Sequence, residues 1–329
     1  LEAAEGILKL DTFPVTSQLI FSGSTGDGDK AIQAYTYRVC LTSNPETRIR
    51  VTCPPEYDRN KFVGILESER ESRGKRHHLK SQLVVEDVKR YQTFPHGART
   101  RIPNNKISWN DPNLPEINHA YPEADWTQRL DIAREHRNHA LGLLYFLQND
   151  DAVPENIRDN MKQWGLPQDE FTDNSHFPWE MYVREARRIV GRYVFTEHDA
   201  SLASSLGRTP IHKDSVAVAE WPMDSHECSL DRQPGSLYDG KLLLSEKTRP
   251  SQIPYQTLLP KEVNNLLVPV CISATHVAFG TIRVEPVLMQ LGEVAGFAAA
   301  IAKEQDVTPV QITADNLQYR LVEHGFALT

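Results

Sequence analysis

The chain has 329 residues, 40% of them hydrophobic and 24% charged, enough for a substantial core in one large domain or two ordinary ones. Its formal net charge of -8 and pI near 5.9 set aside a phosphate backbone as partner, so no nucleic acid is expected. No apolar run reaches the roughly 18 residues of a spanning helix, and Cys40, Cys53, Cys228 and Cys271 form no CxxC pair, which argues against a zinc site or a dense disulfide framework.

The chain opens on Leu1-Glu2-Ala3-Ala4, neither a methionine start nor a signal peptide, so residue 1 is expected to be a processed or trimmed end. Residues 15–45 read as strands. Ile20 and Phe21 precede a glycine loop, after which Ile32, Ala34, Thr36 and Arg38 alternate with Gln33, Tyr35, Tyr37 and Val39. The loop, Gly23 through Gly28, has the order GxxGxG and leads into strand periodicity. It is therefore a strand connection, not a phosphate-binding turn. The mixed-charge run from Glu67 to Lys80 reads as a solvated helix face. His77 and His78 within it diverge by about 100 degrees on a helix and lack a third ligand, so no metal is expected.

Residues 93–122, rich in Pro and Asn, read as a long loop. Ala124 to Asn149 is the longest amphipathic helix, with Leu130, Ala133, Arg137, Ala140, Leu144 and Leu147 at helical spacing. A second helix is expected from Glu155 to about Trp164, stopped by Gly165, and a third from Arg184 to Tyr193. Strand patterns return at 216–221, 242–244 and 253–255. Near the end, Thr313 caps a short helix from Ala314 to His324 that Gly325 closes.

The stretch from 265 to 296 organises the rest. Leu266 to Ile272 reads as a buried strand, residues 273–285 as a polar loop, and Pro286 as the first position of a helix. Such a start would offer the free amides of Val287 and Leu288 and the positive dipole end to an anion. Gly292, Gly296 and Ala300 recur every four residues, which leaves one helix face nearly bare and implies a close neighbour.

The run Leu266-Leu267-Val268, then Cys271-Ile272-Ser273-Ala274-Thr275-His276-Val277-Ala278-Phe279-Gly280-Thr281-Ile282-Arg283-Val284, then Pro286 and the glycine-marked helix, resembles the FAD-dependent oxidoreductases. That family is often labelled "xanthan lyase" and is related to the glutathione-reductase-like flavoproteins. Gly26-Asp27-Gly28-Asp29-Lys30 and Arg38-Val39-Cys40-Leu41-Thr42 are similar to its early strands. Tyr121-Pro122-Glu123-Ala124-Asp125, Asp169-Glu170-Phe171-Thr172-Asp173 and Tyr182 to Arg188 are similar to its helical insertion. The likeness runs from about residue 26 to residue 303.

The resemblance implies an α/β (α+β) fold in three parts. A substrate domain over 1–259 carries the helical insertion at about 120–195, 260–303 forms the strand-loop-helix of a Rossmann-like FAD domain, and 304–329 is a terminal helix and tail. It implies FAD as cofactor, contacted by Ser273, Ala274, Thr275, Thr281, Arg283, Pro286, Val287, Leu288 and Gly292. Two departures stand out. No strand-GxGxxG-helix segment occurs, and Pro269-Val270 stands where many relatives carry an arginine, so FAD is expected to bind this chain weakly or not at all. The family's export signals imply a secreted or periplasmic setting, which no residue of this chain shows.

For proton transfer the candidates are His276, and Asp224 with His226, which on a strand would share a face so that the acid sets the imidazole tautomer. Arg283 is the candidate charge near the flavin, or else pairs with Glu285 or another acid; His176 ranks lower. No GxSxG elbow occurs, and only Cys228 lies near a histidine, so covalent hydrolysis is poorly supported. The reading is an FAD-dependent oxidoreductase moving a hydride between a small organic or sugar-like substrate and flavin. Its rivals are a carbohydrate- or protein-binding module that has lost the cofactor half, and a metal-free lyase or hydrolase using Asp224 and His226.

Overall fold

The computed structural model describes residues 28–63, 91, 93–95, 101–203, 207–230, 239–244 and 248–328. The strand expected near Ile20, most of the glycine loop and the charged run 67–80 lie outside these. The described residues form a mixed α and β fold with small antiparallel sheets, in two compact units that divide between Arg184 and Glu185.

The first unit is built on Lys30–Arg184. Its three-stranded sheet has the order β1 (Val39–Thr42), β4 (Lys106–Trp109), β3 (Arg101–Ile102), with Leu41 opposite Ile107. A second small pair joins β2 (Arg48–Ile49) to β5 (Leu166–Pro167). The expected loop 93–122 thus contains a hairpin. Asn104 and Asn105, at φ 63 and 57, make its turn, because asparagine tolerates the left-handed region. α1 (Trp126–Asn149) is capped by Asp125 in a reciprocal box with Gln128. Its inner face is Ala140, Leu143, Leu144, Phe146 and Leu147 with the buried His136 and His139, whereas Leu130 faces water. α2 (Glu155–Met161) packs on α1 through Ile157 and Met161.

The second unit takes in Glu185–Glu227 and the described residues from 239 onward, so the boundary expected at 260 falls inside it. β6 (Ser215–Ala219) pairs with β9 (Ser251–Pro254), and β7 (Asp224–Ser225) with β8 (Leu242–Leu243). α3 (His276–Ile282) is followed at once by α4 (Glu285–Gln305) and later by α5 (Ala314–Glu323). On α4, Val287, Leu291, Val294, Ala298 and Ile301 alternate spacings of four and three and turn one face into the core with β6. The Val, Leu and Ile side chains among them each contribute roughly 1.5–3 kcal/mol when removed from water.

Three expectations are corrected here. Arg184 to Tyr193 is not a helix. Ile189 N donates to Cys271 O at 2.9 Å, Arg192 N to Leu259 O at 2.9 Å, and the Val190 carbonyl accepts from Lys261 N at 2.9 Å. Tertiary partners therefore take the amides and carbonyl that a helix would use. Leu266 to Ile272 is not a buried strand, for Leu266 is 45% and Val270 51% exposed. The short β contact falls just beyond it, at Ser273–Thr275 against Phe195. Lastly, most of the expected polar loop is α3, because the Thr275 side chain caps a helix there by accepting from Ala278 N at 3.3 Å.

Candidate active site

β7 and α3 bring four of the nominated residues, His276, Asp224, His226 and Arg283, to one place in the second unit. Gly280 makes the approach possible. A Cβ added there would lie 2.6 Å from the Asp224 carbonyl oxygen and 2.7 Å from its nitrogen, so only glycine lets this helix lie on that backbone. At the end of α3, Arg283 Nη2 donates to Asp224 Oδ2 at 2.8 Å. The arginine is 6% exposed, so the pair is largely removed from water. The acid that Arg283 meets is thus Asp224. His226 Nε2 stands 3.8 Å from the same Asp224 oxygen, beyond hydrogen-bond range, so the expected Asp224–His226 dyad gives way to the Arg283–Asp224 pair.

His276 opens α3 and meets two residues that sequence reasoning missed. Its Nδ1 lies 2.9 Å from Glu185 Oε2 and its Nε2 3.1 Å from Ser225 Oγ. The Glu185 side chain is 0% exposed and accepts a further hydrogen bond from Arg188 Nη1 at 3.0 Å. Arg188 is in turn fixed by donating from Nε to Ala274 O at 2.9 Å and by standing 5.5 Å over the Phe279 ring. Behind Thr275, the Glu197 carboxylate accepts the Thr275 hydroxyl at 3.2 Å, which steadies the start of α3. A signal for Ser225 was present, since residues 224 and 226 on one strand face put 225 on the other. Glu185 had no local signal, because its segment read as a helix and its partner is 91 positions away.

The nominated flavin contacts fare differently. Ser273 and Thr281 are buried. Ser273 N donates to Thr257 O at 3.0 Å, and the Thr281 hydroxyl donates to the Trp221 carbonyl. Ala274 is buried, with its carbonyl taken by Arg188, and Thr275 N donates to Phe195 O at 2.9 Å. α4 starts one residue earlier than expected, with Val284 as its N-cap and Pro286 second in the helix. That shift moves Leu288 out of the free-amide turn. Val287 N and Leu288 N both donate to Val284 O, at 3.1 and 3.2 Å. Pro286 has no N–H, and the Glu285 carboxylate stands in the first turn. The start of α4 therefore offers an electron-rich ring neither the Val287 nor the Leu288 amide. Gly292 and Gly296 open on free space, since a Cβ on either meets nothing within 4 Å, so the close neighbour expected on that face is not found among the described residues.

A separate buried cluster lies in the same unit. Asp199 accepts from Tyr193 Oη at 2.6 Å and from Thr196 N at 2.7 Å, with His212 Nε2 at 3.0 Å. Burial alone would raise its pKa, but those bonds outweigh burial and hold the carboxyl below its ordinary value. In the first unit, His176 Nδ1 lies 3.1 Å from Glu170 O, a structural contact. Among the described residues no three His, Cys, Asp or Glu side chains are arranged to hold a metal. No single described helix is long and apolar enough to cross a membrane, and α3 and α4, which pass that test only together, bend by 85°.

Residues 5–321 match the family model described as FAD dependent oxidoreductase. No curated protein and no solved structure matches the chain.

Proposed function

The chain belongs to the FAD-dependent oxidoreductase family, and from that premise we propose that it supplies the acid–base side of a hydride exchange between flavin and a small organic or sugar-like substrate. The observation that carries this reading is His276 held between the buried Glu185 carboxylate and the Ser225 hydroxyl. A general acid–base group needs a fixed ring, a defined tautomer and access to substrate. Glu185 and Ser225 supply the first two, and the His276 side chain keeps 32% of its surface exposed. FAD, when bound in this family, supplies the redox chemistry. Arg283 and Asp224 offset each other's charge and hold α3 against β7, so that His276 keeps its place.

The test compares the wild-type protein with His276→Gln for the rate at which candidate alcohols and sugars bleach the flavin under anaerobic conditions. His276→Gln is expected to slow bleaching by about 10²–10⁴-fold, the usual worth of a general acid–base residue, with the resting flavin spectrum unchanged. An unchanged rate would remove His276 from the mechanism.

A second reading, a binding module without flavin, is favoured by one observation: the start of α4 offers no amides of Val287 or Leu288 to an anion. It predicts a colourless protein that binds its ligand without bleaching any chromophore.

A further inference from the structure

We infer that Ser225 is a two-position hydroxyl switch coupled to the proton on His276. This rests on the acid–base reading of His276 and extends it by naming the group that accommodates each protonation state.

The inference follows from counting hydrogens. Glu185 Oε2 is 3.0 Å from Arg188 Nη1 and 2.9 Å from His276 Nδ1. A carboxylate that accepts from a guanidinium is ionised and brings no hydrogen of its own. The hydrogen between Glu185 and His276 therefore belongs to Nδ1, which makes Nε2 of the neutral ring a bare lone pair. Ser225 Oγ lies 3.1 Å from that nitrogen and 3.2 Å from the His226 carbonyl oxygen. Both are acceptors, and the serine has one hydrogen. When His276 is neutral, the Ser225 hydroxyl donates to Nε2. When a proton arrives at Nε2, an N–H bond forms there and donates to a Ser225 lone pair. The Ser225 O–H bond stays intact and turns to the His226 carbonyl. Glu185 then faces two cations, Arg188 and the charged ring, and its one negative charge is shared between them.

Neither state leaves a ring nitrogen or the Ser225 hydrogen without a partner, so the proton is exchanged without a buried polar group being orphaned. A histidine that only braces the fold needs one such state; this one has two. The same three side chains have the order of an acyl-transfer triad, but Ser225 is 1% exposed, which makes it a positioning residue and not a nucleophile.

The test is nitrogen NMR on protein with labelled histidine, with no cofactor required. Neutral His276 is expected as the Nδ1–H tautomer with a hydrogen-bonded Nε2. Ser225→Ala should keep that tautomer and move the Nε2 resonance to the position of a lone pair without a donor, and Ser225→Thr should restore it. Glu185→Gln should mix the tautomers. A wild-type Nε2–H tautomer, or an Nε2 resonance that ignores Ser225→Ala, would overturn the inference. So would covalent labelling of Ser225 by a serine-directed fluorophosphonate. The wild-type tautomer needs no variant to fold. Failure of any substrate to bleach added FAD would sink the oxidoreductase reading and leave this result standing.

Discussion

At the scale of single residues, the site depends on charges that are paired away from water. Removing one partner of a largely buried pair strands the other, so Arg283→Ala is expected to cost about 3 kcal/mol, near the low end for such pairs because Asp224 keeps 21% of its side chain exposed. Urea unfolding monitored by fluorescence measures this, and a loss near zero would show that the pair is already solvated. His136 and His139 set a different dependence. Burial holds their pKa values down, to about 4 and about 3. A histidine that resists its proton in the fold favours the unfolded chain once that chain begins to protonate. Its contribution is therefore complete above the ordinary value of 6.5 and declines as pH falls toward those lower values. The urea midpoint should be lower at about pH 5 than at about pH 7.5, and His139→Leu should flatten part of the change. A midpoint independent of pH would mean that both rings reach solvent. The sequence nominated His276, Asp224 and Arg283, which the fold brings together, because each is a chemically distinctive residue. Glu185 was not, since its role exists only through a contact with a residue 91 positions away.

At the scale of elements, two kinds of glycine make opposite predictions. Gly280 lies on the Asp224 backbone, so Gly280→Ala should destabilise by about 1–3 kcal/mol, the range for overpacking, and loosen α3 from β7. Gly292 and Gly296 face open space on α4, so alanine at either should stabilise by about 0.5–1 kcal/mol through helix propensity alone. Thermal unfolding of the three variants decides between them; a destabilising Gly292→Ala would reveal a close neighbour on that face. Two helices were readable: α1 from its helical spacing, and α5 from Thr313 and the Gly325 stop at φ 84. The failures were segments whose hydrogen bonds go to distant partners. Residues 185–193 carry a helical pattern yet donate to Leu259 and Cys271. Residues 266–272 are apolar enough for a strand, yet half of the surface of Leu266 and Val270 stays exposed.

At the scale of the whole molecule, the mixed α and β class and the family were both legible. Long ordered matches survive where local patterns mislead, and the resemblance from about residue 26 to residue 303 lies within the family match over 5–321. The division between Arg184 and Glu185 was not legible, because the segment read as a third helix passes straight across it. The site itself belongs to the second unit, where α3, β7 and the strand-like stretch from Glu185 converge on His276. The most direct test of the account is the visible absorbance of the protein saturated with FAD, followed anaerobically as small alcohols and sugars are added. The account predicts that the two bands of the oxidised flavin are bleached by a substrate among them when the protein is present and not when it is absent. A flavin that stays oxidised while the protein binds such a compound would contradict it.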